Sequence, residues 1–150
     1  MARDWVKFPE LRNSELEIYY MQSPHKQILG NFRAKCVKVI DGDTIRVRWD
    51  RRDFDFPVRF WGTDAPELNQ EGGSESQSWL ESVILDEEIE ILIDPDNRVG
   101  KFGRILGTIM SRGMNINEDS IRQGWATSFD DRNEGELPIL AKELALEKWF

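Results

Sequence analysis

Between Phe32 and Gly62 apolar and polar residues alternate with a period of two on both sides of a short acidic turn, and this pattern commits the chain to β-structure. The clearest stretch runs from Thr44 to Trp49: Ile45, Val47 and Trp49 share one face, and Thr44, Arg46 and Arg48 the other. A strand patterned this way tolerates only one register, because a slip of one residue would turn every apolar side chain to water. Phe32 to Ile40 mixes β-branched, apolar and basic residues and reads as the preceding strand. Asp41-Gly42-Asp43 has the chemistry of a tight turn, so the two strands are expected to pair as a hairpin. After a polar break at 50–55, Phe56, Val58 and Phe60 resume the inward face, with Arg59 and Trp61 opposite.

Gly72-Gly73 then interrupts the strands, and Ser74-x-x-Gln77 has the spacing of a capping box. A helix is predicted there, with Trp79, Leu80, Val83 and Ile84 on one face. Glu87 to Asp94 alternates again through Ile89, Ile91 and Ile93, and Gly103 to Met110 predicts a fifth strand. Either Asn115 or Asn117 is placed to cap a short helix that Gly124 ends, and a last helix fits Leu137 to Lys148. Three strands, a helix, two strands and two helices predict a β-rich α+β fold, a five-stranded OB-fold barrel with about three helices. The barrel domain is expected over 33–150. Residues 1–32 form an N-terminal extension with one short helix within Pro9–Tyr20, and otherwise read as a loosely tied arm.

Rare residues exclude several chemistries. One cysteine, Cys36, precludes an intramolecular disulfide, and with one histidine, His25, it is too few for a Cys/His zinc site. Cys36 stands in an apolar strand run, where a buried thiol is expected rather than a nucleophile. A chain of 150 residues buries enough surface to fold without staples. No apolar run is long enough to cross a membrane. Met1 to Lys7 holds no apolar stretch of signal-peptide length, so the chain as given is expected in the cytoplasm, although a leader already removed would leave no trace.

Four segments carry candidate chemistry. Asp41-Gly-Asp43-Thr44 sets two hard carboxylates in a turn, donors that suit calcium, although aspartates are also common in turns for backbone reasons. Arg59, mid-strand between apolar neighbours, either pairs across the sheet or aims a planar guanidinium at a phosphate. Asp64 and Glu67 flank Pro66, which holds both acids near one point. Gly100-Lys101-Phe102-Gly103-Arg104 joins flexible backbone to positive charge but lacks the Gly-x-x-x-x-Gly-Lys-Ser/Thr of a P-loop. Asn117-Glu-Asp-Ser-Ile-Arg-Gln-Gly124 reads as a capped helix closing the barrel. Asp94-Pro-Asp96-Asn-Arg98 is not an EF-hand, because Val99 stands where that loop needs glycine.

Taken in order, Asp-Gly-Asp-Thr, Arg with Asp-x-Pro-Glu, Lys-aromatic-Gly-Arg, and Asn-Glu with Arg-Gln-Gly closely resemble the staphylococcal nuclease (thermonuclease) family over about residues 33–149. The resemblance implies a calcium-dependent phosphodiesterase acting on DNA and RNA and leaving 3′-phosphate ends. It assigns Asp43, Asp64 and the Ala65 carbonyl to the metal, with Asp41 as a supporting acid. It assigns Arg59 and Arg104 to the scissile phosphate and Glu67 to the attacking water. Thr44, Lys101 and Phe102 are expected to support the site or bind substrate. The tyrosines that follow Gln-Gly in well-known members are absent from Trp125-Ala-Thr-Ser-Phe129, leaving Phe102, Phe129 or Trp125 as stacking candidates.

The formal net charge of −8 runs against nucleic-acid binding, but it is unevenly placed: residues 60–97 carry eleven acidic groups and no lysine or arginine. The distribution predicts a basic mouth around an acidic calcium site, with an acidic flank elsewhere. Two other readings remain: a catalytically inactive barrel that binds nucleic acid or protein, and an acidic interaction protein that uses the 60–97 surface to hold a protein partner.

Overall fold

In the computed structural model, residues 3–100 and 103–128 are described. The expected hairpin forms from β1 (Phe32–Asp41) and β2 (Thr44–Arg48), with Asp41 opposite Thr44 and Lys35 opposite Arg48. β3 (Phe56–Phe60) runs antiparallel to β2 and sets Arg59 opposite Thr44. After the two-residue β4 (Thr63–Asp64) and the helix α2 (Gly73–Ile84), β5 (Glu88–Leu92) pairs with the start of β1. β6 (Ile105–Ser111) pairs antiparallel with β5 and parallel with β3, which closes the sheet into a mixed five-stranded barrel. Closure leaves no open edge, and the alternation read from the sequence becomes an inside and an outside. Ile45, Val47, Phe56, Val58, Phe60, Ile89, Ile91, Ile105 and Ile109 are buried in one core. Cys36 lies there too, fully buried, and burial pushes its thiol up to about 12, so it is no nucleophile.

The short strand β7 (Met114–Asn115) leads into α3 (Ile116–Arg122), and β8 (Thr127–Ser128) pairs with β4. Asn115 is the helix cap, accepting the Glu118 N–H at 3.0 Å. Asn117 instead stitches the barrel: its Oδ1 accepts from Ile109 N–H at 3.0 Å, and its Nδ2 donates to the carbonyls of Trp61 at 2.9 Å and Gly107 at 3.2 Å.

Three sequence expectations meet different fates. The capping box at Ser74 does not form, because α2 starts one residue earlier, after Gly72, and Ser74 already lies inside the helix. Gln77 reaches across to the end of β1, donating to the Val39 carbonyl at 3.1 Å. The expected helix at 137–148 lies outside the described residues.

The loosely tied arm is also corrected. Residues 9–11 and 27–28 are buried against the barrel, while α1 (Asn13–Tyr19) and a 3₁₀ turn (Tyr20–Gln22) between them bury no residue. Glu10 is fully buried, with Oε1 2.6 Å from Arg52 Nη2 and Oε2 accepting the Ile28 N–H at 3.0 Å. Gln27 accepts the Leu11 N–H at 2.7 Å and donates to the Pro9 carbonyl at 2.9 Å. The Arg52 guanidinium also stands over the rings of Trp49, Phe54 and Phe56, at 4.5 Å from the last. A buried carboxylate persists only where cations and donors compensate its lost hydration, and here the barrel and the segment supply them together.

Candidate active site

The β1–β2 turn, the end of β3 and the β4 strand bring Asp41, Asp43, Arg59 and Asp64 to one end of the barrel. Gly42 permits the approach: a Cβ there would lie 2.0 Å from Ser76 Oγ on α2 and 2.8 Å from the Ala65 side chain. The turn thus sits flush against α2 and the segment after β4, and only glycine fits.

Asp43 is the hub. Its Oδ2 lies 2.6 Å from Arg59 Nη1 and accepts the Ala65 N–H at 2.8 Å, while its Oδ1 accepts the Thr44 hydroxyl at 3.0 Å. Arg59 also donates to the Thr63 carbonyl at 3.0 Å and stands 3.5 Å from Asp64 Oδ1. Asp64 is fixed from the other side by the β4–β8 pairing, and its carbonyl accepts the Thr127 hydroxyl at 3.3 Å.

One guanidinium faces three carboxylates, and the titration of the acids shows the imbalance. Burial, then the hydrogen bond and negative charge of Asp43, push Asp41 up to about 7, opposed by the Asp43 N–H and Arg59. Asp64 is raised by burial and by Asp43, with Arg59 pulling the other way and Glu67 adding repulsion. Carboxylate oxygens are the right donors for a hard cation. Among the described residues, however, no group of three His, Cys, Asp or Glu side chains is arranged to hold a metal ion, because the oxygens of Asp43 are turned to Arg59, Ala65 and Thr44. The donor set fits such an ion in kind.

Glu67 is exposed beside this cluster, on a turn fastened by Gln70, whose Oε1 accepts the Glu67 N–H at 2.9 Å. Leu106 is level with Arg59 across β3 and β6, and Arg104 stands just before the first residue of β6. The Nε of Arg104 is buried and has no hydrogen-bond partner. Lys101, Phe102 and Phe129 lie outside the described residues. The ring of Trp125 stacks on Trp79 at 6.4 Å, so it is packed on α2.

Among the described residues, several cations lie away from the acidic cluster. Arg52 and Arg98 are buried beneath the N-terminal segment. Arg33, Arg48 and Arg112 pair with Glu90, Asp55 and Glu87 on the barrel surface. Lys35 lies at the far end of the β1–β2 hairpin from Asp41. Outward strand positions distribute the cations along the barrel wall, and the buried Glu10 draws two more inward. The sequence reading thus missed Glu10, Arg98 and the stitching role of Asn117. The one signal for Glu10 was an acid flanked by Pro9 and Leu11.

A closed mixed five-stranded barrel with about three helices defines the OB-fold class of small barrels. A staphylococcal nuclease homologue family profile matches residues 57–145, and the chain belongs to that family. It is 30% identical over 123 residues to an uncharacterized endonuclease of Escherichia coli, covering 81% of this chain and 77% of that one. It is 29% identical to a micrococcal nuclease of Shigella flexneri, covering 66% of this chain and 59% of the relative. It is also 31% identical to protein ParB of Escherichia coli, covering 67% of this chain and 60% of the relative. No helix among the described residues is long and apolar enough to cross a membrane.

Proposed function

We propose that the chain is a calcium-dependent nuclease that hydrolyses phosphodiester bonds of DNA and RNA by attack of water on phosphorus, leaving 3′-phosphate ends. The observation that carries this reading is the crowding of Asp41, Asp43 and Asp64 around the single guanidinium of Arg59. Family membership and the endonuclease and nuclease names of its relatives support the same reaction class.

Asp43, Asp64 and the Ala65 carbonyl would hold the calcium, with Asp41 in support; when bound, the ion supplies positive charge against the oxygens of the reacting phosphate. Arg59 would present parallel N–H groups to a phosphate. Arg104 would offer the phosphate a second guanidinium. Fixed charges of this kind act where negative charge develops in the transition state, and each is worth on the order of 10²–10³ in rate. Glu67, exposed and beside the cluster, takes the proton of the attacking water. Thr44 orients Asp43 through its hydroxyl, and Lys101 and Phe102 contact the substrate.

The test is incubation of the purified chain with single-stranded DNA and RNA, in calcium and in chelator. Calcium-dependent cleavage that Glu67→Ala abolishes, with fragments whose 3′ phosphates a phosphatase removes, supports the proposal. Binding without cleavage would reassign the chain as a non-catalytic binding module.

A further inference from the structure

We propose that residues 3–31 clamp the turn between Arg98 and Leu106, and that Arg98 is thereby a positioning residue for Arg104. The proposal rests on the reading of Arg104 as a phosphate-binding group.

The two described legs of this turn, 98–100 and 103–106, are joined by hydrogen bonds. The Leu106 N–H donates to the Arg98 carbonyl at 2.8 Å, the Gly100 N–H donates to the Arg104 carbonyl at 2.8 Å, and Val99 bridges to Ile105. Each leg is gripped by the N-terminal segment. On the first leg, the Arg98 side chain is 3% exposed and spends its donors on that segment. Its Nε and Nη2 reach the Ile28 carbonyl at 2.8 and 2.6 Å, and its Nη1 reaches the Leu11 carbonyl at 3.1 Å and Asn13 Oδ1 at 2.9 Å. Its Nη2 also lies 3.6 Å from Glu10 Oε2. On the second leg, Gly103 has φ +70° and stands against the same segment: a Cβ would lie 2.8 Å from the Glu10 carbonyl and 2.9 Å from Arg3 Nη2. The Glu10 N–H meets the Gly103 carbonyl at 3.4 Å.

Glu10 then ties the clamp to the barrel through Arg52 at 2.6 Å, and Arg3 braces the run from Phe8 to Glu10 with bonds to both carbonyls, at 2.9 and 2.6 Å. Arg104 follows Gly103 directly, and its own Nε has no partner to aim it. Its direction is therefore inherited from the backbone of the turn, and that backbone is held by Arg98 and Gly103. A buried arginine spent on main-chain carbonyls of a distant segment costs much desolvation for a plain surface turn; it suits a turn whose placement matters to reactivity.

The test uses the full chain with calcium and single-stranded DNA. Arg98→Lys and the milder Asn13→Ala are expected to lower kcat, Arg98→Lys on the order of 10- to 100-fold, with calcium affinity unchanged. Hydrogen exchange should quicken at the Gly100 and Leu106 amides but not at Ile91 or Val47 in the barrel. In an Arg104→Ala background, Arg98→Lys should cause no further loss, since it acts through Arg104. Additive losses, or faster exchange at Gly100 and Leu106 with kcat unchanged, would overturn the proposal, as would equal loosening of the barrel amides. If Arg104→Ala cleaves like the wild type, the assignment of Arg104 fails, and the positioning role fails with it. The exchange data would still decide separately whether the clamp itself exists.

Discussion

The Arg59 guanidinium lies 2.6 Å from Asp43 and 3.5 Å from Asp64, so one side chain bridges an acid of the β1–β2 turn and an acid of β4. Both carboxylates lie within a cluster where burial already disfavours charge, and Arg59 is the cation opposing it. Arg59→Ala should therefore do two things. Cleavage should fall on the order of 10²–10³-fold. In calcium-free buffer the variant should also lose stability at pH 8 relative to pH 5, as the acids repel without their cation. Arg59→Lys should recover part of the stability but little of the rate, because an ammonium offers no parallel pair of donors. Urea denaturation at the two pH values and a cleavage assay separate the effects.

Asp41 sets a pH dependence whose sign follows from its raised titration. With the folded value at about 7 and the ordinary value at 3.8, the folded state keeps a proton that the unfolded chain releases. Between these values the unfolded chain binds fewer protons, so stability falls as pH rises from about 4 to about 7 and then levels off. Asp41→Asn should flatten this fall and leave the variant more stable than the wild type at pH 8 without calcium. Denaturant midpoints measured across this range test it; a wild-type profile rising over the window would contradict it.

Glu67 differs from its neighbours in being exposed, with its turn held by main-chain and Gln70 contacts that the carboxylate does not make. Glu67→Gln should leave the melting temperature within about 1–2 °C of wild type, a shift expected of a surface change below about 0.5 kcal/mol. Activity should fall on the order of 10²–10⁴-fold, the span general-base catalysis contributes. Loss of fold together with loss of activity would give Glu67 a structural role instead.

The parts legible in the sequence were those governed by local period and turn chemistry. Ile45, Val47, Phe56, Val58 and Phe60 declared their face, and Asp41-Gly42-Asp43 declared its turn, because the side chains of a strand report inside and outside at every second residue. Arg59 stood out as a charge on the outer face between apolar neighbours, and the two readings open to it, cross-sheet pairing and phosphate binding, both remain relevant: the structure pairs it with Asp43 and Asp64. What the sequence could not express was long-range pairing. Glu10, Arg52 and Arg98 are 42 residues or more apart, and nothing local marks them as one buried cluster. Charge counted along the chain could not show that Arg52 and Arg98 lie buried with Glu10 under the N-terminal segment. The capping box failed for a smaller reason: Gly72, in a left-handed conformation, caps α2 two residues before Ser74.

The Glu10 cluster makes the N-terminal segment a stability element. Glu10→Ala strands the Arg52 and Arg98 guanidinium groups, both nearly inaccessible to water, and breaking a buried pair in this way costs about 3–5 kcal/mol. The urea midpoint should drop accordingly. A change under about 0.5 kcal/mol, typical of exposed pairs, would mean that the segment is dispensable to the barrel.

Arg104 is expected to show the opposite balance. Its Nε is buried without a hydrogen-bond partner, and an unsatisfied buried donor costs about 1–3 kcal/mol. Residues kept in such a state at a binding site trade stability for function. Arg104→Met, which keeps an unbranched side chain and removes the donor, should leave the protein as stable as wild type or more so, while cleavage falls on the order of 10²–10³-fold. Inorganic phosphate should raise the melting temperature of the wild type and not of the variant, because only the wild type keeps the guanidinium. A variant that loses stability, or that gains from phosphate as the wild type does, would show that the Nε finds its partner within the protein and not on a ligand.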